Sequence, residues 1–258
     1  MLYFQNVRTS RFSFTLQELT IADTRNLLNI PPHLFEKTRG EFLKRAIKEI
    51  HWNENYSLKV DLGDLTVQER IFIESIYIGQ SSNTPDFLVG EKLKLSDYLN
   101  YEKQYQPEFN RLFLGEAGGD KWFIKPLTGR DIEIIEALIF SKADKPTRLD
   151  WFIYAMSACL LLENEEEVTD ASEIERRIEH KYSTFNNYQE SEFLVLFSLF
   201  TQAIDNKNNH LFNINFDEEG IICLSLPQEG ATTAGRFRSL SAINEITKGL
   251  VGKFKNDH

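Results

Sequence analysis

Cysteine is nearly missing from this chain: two in 258 residues leave no basis for a disulfide scaffold or a thiolate metal centre. Cys159 and Cys223 each lie in an apolar run, so they are expected to be reduced thiols in the core. The five histidines, at 33, 51, 180, 210 and 258, form no His-x-x-x-His pair. No Gly-x-Ser-x-Gly elbow occurs, and neither cysteine sits beside an expected turn or helix start. The expectation is a protein that is not an enzyme and holds no cofactor or metal. Positive charge is scarce too, for the formal net charge is −10 and no run of Lys and Arg stands out. Phosphate-rich partners are held through displaced counterions by surfaces of the opposite sign, so neither nucleic acid nor an anionic membrane is an expected partner. Long hydrophobic runs are lacking as well. The longest, 151–162 and 193–200, fall short of the roughly 20 residues that cross a bilayer and read as buried helices. The first twelve residues alternate without a continuous apolar stretch, so no secretion signal is expected and residence is cytoplasmic.

What is present is packing material. Apolar residues make up 41% of the chain, with twenty Phe and nine Tyr, and aromatic rings in that number must be buried in a core or in interfaces. A Leu-Thr-x-x-acid unit recurs at Leu19, Thr20 and Asp23, at Leu65, Thr66 and Glu69, and at Leu127, Thr128 and Asp131. It predicts a helix start: the Thr hydroxyl accepts from a free backbone N–H of the first turn, and the acid reaches back to the Thr N–H. Glu is the usual partner, and Asp has the shorter reach. Each unit comes after a segment of strand character, namely Phe12, Phe14 and Leu16, then Tyr56, Leu58 and Val60, then 122–124. The spacings, 46 and 62 residues, fit no fixed-period solenoid; reuse of a good cap or an old duplication explains them.

Further along, Pro31 and Pro32 should stop the first helix at Ile30. Leu43, Ile47 and Ile50 make a stripe for a helix over 41–50, and a third helix over 67–78 should end at Gly79 ahead of a loop over 81–85. Segments 109–114 and 121–125 flank Gly115, Gly118 and Gly119 as a hairpin. Helices are expected to start at Thr128, at Thr147 with Asp150, and at Ser172 with Glu175. Those over 149–163 and 189–205 are apolar on most sides and should be central; that over 173–182 should cover them, with Glu173 able to pair Arg177. Segments 211–216 and 221–226 form a second hairpin about 217–220, succeeded by a final amphipathic helix with Leu240, Ile243, Ile246 and Leu250 on one face. The expected fold class is α+β. It comprises a mixed strand–helix region with hairpins over 1–125, a central helical bundle over 126–208, and a β-hairpin plus amphipathic helix over 209–258, packed as one or two domains.

Gly230, Gly235 and Arg236 spell Gly-x-x-x-x-Gly-Arg between an expected strand and an expected helix, half the context of a phosphate loop. The Lys that reaches phosphates and the Ser or Thr that holds magnesium are replaced by Arg236 and Phe237. A connecting loop is the plainer reading, in which Arg236, Phe237 and Arg238 offer two cations around an aromatic, a favoured composition for protein contacts. With the helix behind them, they make Arg236, Phe237, Arg238, Leu240, Ile243 and Ile246 the candidate interface. The acidic run Glu163, Glu165, Glu166 and Glu167 lacks the stepped ligands and Gly turn of a calcium loop and reads as a solvated helix end.

Three segments, 14–30 (FTLQELTIADTRNLLNI), 64–77 (DLTVQERIFIESIY) and 222–238 (ICLSLPQEGATTAGRFR), resemble proteins of tailed-bacteriophage tails, particularly baseplate and hub assembly proteins. That resemblance covers under a fifth of the chain and implies a non-catalytic tail or baseplate structural or assembly protein. It would bind other virion or tail-assembly proteins, with a homo-oligomer as one arrangement, and reside in the host cytoplasm and then in the virion. A cytoplasmic adaptor or regulatory protein, and a nucleotide-binding enzyme using the 230–238 loop, are the alternative readings.

Overall fold

A computed structural model describes residues 4–53, 61–100, 111–142, 145–206, 211–227 and 230–242. Among these lie seven α-helices and four small antiparallel sheets, an α+β fold.

The chain enters through β1 (Val7–Arg8) and β2 (Phe12–Leu16), whose Phe12, Phe14 and Leu16 point into the core. The first Leu-Thr unit then starts α1 (Ile21–Leu28), with Thr20 and Asp23 bonded reciprocally as a capping box; the shorter Asp does reach. Helix α2 (Phe35–Ala46) comes after the two prolines and runs directly into β3 (Ile47–Trp52). The helix expected over 41–50 is therefore corrected. Ile47 and Ile50 leave the helix to pair with Leu16 and Phe14, because β2 needs an edge partner and β-branched residues suit a strand. The first sheet has the order β1-β2-β3.

Helix α3 (Val67–Ser82) begins at the Thr66–Glu69 box and ends at Asn83, left-handed with φ 52°. It passes through Gly79, which does not stop it; a Cβ there would lie 3.2 Å from the Pro85 backbone, so the glycine serves a close approach. The expected strand at Tyr56, Leu58 and Val60 lies outside the described residues. Short β4 (Leu88–Val89) and β5 (Leu93–Lys94) pair with each other. Strands β6 (Leu112–Ala117) and β7 (Asp120–Ile124) form the expected hairpin, turning on Gly118 and Gly119 at φ 62° and 85°, values that L side chains rarely adopt.

Helix α4 (Gly129–Lys142) starts at the third box, where Asp131 accepts from the Thr128 N–H at 3.1 Å. The second and third units are tied together: Val67 N–H donates to Leu127 O at 3.0 Å and Gly129 N–H to Leu65 O at 2.7 Å. Two helix starts thus satisfy one another's orphan groups. Helix α5 (Arg148–Cys159) is capped by Thr147 and Asp150 and is buried from Trp151 to Cys159, as expected. Its continuation β8 (Leu160–Leu162) is a strand added to β7, not more helix, and gives the sheet order β6-β7-β8.

Asp170, rather than Ser172, caps α6 (Ala171–Asn186), accepting from the Ser172 and Glu173 N–H groups. Glu173 pairs with Arg176, while Arg177 goes to Glu165, which also binds Lys181; the acidic run is thus partly paired and is not a helix end. Helix α7 (Glu190–Asn206) precedes the second hairpin, β9 (Asn213–Asp217) and β10 (Gly220–Leu224). Two-residue β11 (Ala234–Gly235) pairs with β10, in the order β11-β10-β9, and a 3-10 turn spans Ser239–Ala242. One hydrophobic cluster extends from Phe4 to Phe237, with both cysteines buried and free, as the sequence predicts.

Candidate functional site

The 225–238 loop folds back on its own hairpin. Thr233 N–H donates to Ser225 Oγ at 2.7 Å, and Gly235 pairs with Cys223. A Cβ at Gly235 would fall 2.7 Å from the Tyr98 hydroxyl, so this glycine admits a neighbouring ring. Past Gly235 the described chain makes a 3-10 turn over 239–242, and the amphipathic helix expected on Leu240, Ile243, Ile246 and Leu250 lies, beyond that turn, outside the described residues.

The expected interface residues are divided by the fold. Arg236 binds Asp217 through its guanidinium and Ile221 O at 3.2 Å. Phe237 is corrected from contact anchor to core residue. It is 5% exposed and edge-on to Tyr98 and Phe212, because the hairpin and the 95–99 segment leave an aromatic-sized gap. Arg238 remains open, 3.0 Å from Glu219 and over the Phe35 ring at 4.8 Å, and Leu240 is half-buried. Ile243 and Ile246 lie outside the described residues.

Beneath the loop lies a buried ionic network that no local sequence pattern indicates. Arg39 donates through Nε to Glu74 at 2.9 Å, through Nη1 to Glu36, and through Nη2 to the Phe237 carbonyl at 2.6 Å. Arg70 binds Glu133 at 2.7 Å, the Glu36 carbonyl at 2.8 Å and the Gly129 carbonyl at 2.9 Å. Glu136 accepts from the Glu36 and Lys37 N–H groups at 2.8 and 2.9 Å. Leu34, at the N-cap of α2, offers no side-chain bond, so a carboxylate from α4 does the capping. Four carboxylates thus face two guanidinium groups. Burial, and then the Glu36 charge, push the Glu136 carboxyl up to about 7. Burial alone would pull Arg39 down, but Glu36 and Glu74 hold it above its usual range. One member did leave a trace in the sequence: Glu74 falls on the same helical stripe as Ile71 and Ile78, where an unpaired carboxylate would be untenable.

Arg39 and Phe237 also wall a cleft of about 910 Å³ bounded by the end of α1, the start of α2, the end of α4 and residues 237–240. A second, shallower groove of about 470 Å³ runs between α5, α7 and β9, lined by Leu149, Phe152, Phe197 and Ile204. Here α7 departs from its expected central place. Leu196 and Phe200 are buried, but Leu194 is 55% and Val195 51% exposed. Leu194, Phe197, Thr201 and Ile204 keep helical spacing, so the exposed Leu194 extends the groove's stripe.

Both thiols are held in reserve from chemistry at neutral pH, since burial raises Cys159 and Cys223 to about 12. Among the described residues, no three His, Cys, Asp or Glu side chains are grouped to hold a metal, and no helix is long and apolar enough to cross a membrane. No protein-family model, curated protein or solved structure matches the chain.

Proposed function

We propose that this protein works by docking onto other protein chains, as a structural or assembly component of a phage tail or baseplate. The contact reading is carried by α7. A helix apolar on most sides belongs in an interior, yet in the single chain this one leaves Leu194 open at the end of the stripe that lines an apolar groove, and the groove ends in exposed Leu149. The occupant is another protein with an apolar centre and a basic rim. Glu190 and Glu192 stand at the start of α7 on a chain of net charge −10, so a second copy would meet like charge.

The tail or baseplate assignment rests on the likeness of segments 14–30, 64–77 and 222–238. Pairwise co-expression with the products of genes flanking its own, with the mass of each complex read by light scattering, tests the partner class. Mass spectrometry of purified virions separates a virion subunit from an assembly factor. A stable complex with at least one neighbouring tail protein is expected. A chain that stays monomeric beside all of them, and is missing from virions, would sink the proposal. The nucleotide alternative loses support because Arg236, the cation of that loop, is already engaged with Asp217.

A further inference from the structure

The cleft between α1, α2 and α4 is walled on its remaining side by the last described turn of the chain. Half-buried Leu240 lines it with Ile30, Phe35 and Phe140, and Leu28 on the same wall is 36% exposed. Covering such rings and aliphatic side chains is favourable in proportion to the apolar area removed from water. At the rim, Lys145 and Arg238 stand against Glu218 and Glu219, so the cleft selects no strongly charged occupant.

Two residues past Leu240 the described chain stops, and residues 243–258 follow. In that stretch Ile243, Ile246, Leu250 and Phe254 recur at steps of three and four, which is one apolar face for a helix about 18 Å long. Lys248, Lys253 and Lys255 outnumber Glu245 and Asp257, so this segment is basic on a chain of net charge −10.

We propose that the cleft seats the chain's own segment 243–254, with Ile243, Ile246 and Leu250 turned onto its apolar walls. Tethering favours this occupant over a separate protein. A segment joined two residues from the rim acts at an effective concentration of about millimolar or above, and it escapes most of the loss of freedom that a free molecule suffers on binding. Charge agrees, since a basic segment folds back on an acidic body. The inference goes beyond the proposed function and does not rest on it, because the groove beside α7 stays open to a partner whether or not this cleft is covered.

A nitroxide on Gly252→Cys, which lies opposite the apolar face, reads the position of the segment in the full chain. Cys159 and Cys223 are buried, with thiols pushed up to about 12, so the label goes to the new thiol alone. The expected result is paramagnetic broadening of the Leu28, Phe35 and Phe140 amide signals. Leu250→Asp should abolish it, and Leu250→Met should retain it. In a mixture of nitroxide-bearing chain without isotope and isotope-labelled chain without nitroxide, the same signals should stay sharp. Sharp signals in the singly labelled chain, or broadening instead at Leu149 and Phe197 beside α7, overturn the seat. Broadening that survives Leu250→Asp overturns the apolar contact. Broadening in the mixture places the segment on a second copy and overturns the tethered arrangement.

Discussion

Glu136 shows how a single residue can serve the fold and strain it at once. Its carboxylate satisfies two N–H groups of α2, yet it stands beside Glu36 in a cluster with excess acid. Its folded pKa of about 7 lies above the ordinary 4.5, so between those values the folded chain holds more protons than the unfolded one. The associated stability is fully present below about pH 4.5 and is lost as pH rises through about 7. At about 1.4 kcal/mol per unit the loss is at most roughly 3–4 kcal/mol. Urea unfolding at pH 5 and pH 8 should show that decline, and Glu136→Gln should reduce it, leaving the share of Glu69 and Glu133, which burial also raises; parallel declines in the two proteins would assign the proton elsewhere. Arg39 is the complementary case. Arg39→Ala leaves Glu74 buried without its cation and Glu36 with only Arg70 at 3.9 Å, and it releases the Phe237 carbonyl. A loss of about 3–5 kcal/mol is expected from urea denaturation.

Among the elements, the Leu-Thr-x-x-acid units are where sequence and fold meet most closely. All three start helices, but their settings differ: Thr20 and Asp23 face solvent, while Thr66 and Glu69 are buried and Glu69 also meets Arg11. Thr66→Val should therefore destabilise more than Thr20→Val, about 2 against about 1 kcal/mol or less, measured by denaturant midpoint at constant slope. Equal effects would mean that burial adds nothing to the cap. Caps and hairpin turns were legible because they depend on a few adjacent side chains. The end of α2 was not, since Leu43, Ile47 and Ile50 fit a helical stripe as well as a helix-to-strand junction, and only pairing with β2 decides between them. Leu160–Leu162 likewise looked like more helix until β7 supplied an edge. The site was legible in part. The 236–240 loop does border the larger cleft, but Phe237 and Arg236 proved to be structural, and the Arg39 network joins residues up to 198 positions apart that no local pattern links.

At the scale of the whole molecule, one core from Phe4 to Phe237 carries several surface concavities, and the two described above differ in character. The one beside α7 is continuous with exposed Leu194, and the proposed docking function depends on it most. The most direct measurement compares the native chain with a Leu149→Asp, Leu194→Asp double variant, reading the mass of the complex with a neighbouring tail protein by light scattering and the melting temperature of each chain alone. Both side chains are half exposed, so the variant should keep its melting temperature within a few degrees while its complex weakens by at least about tenfold. An undiminished complex, or a loss of binding that merely tracks a loss of folding, would contradict the assignment of α7 as the docking surface.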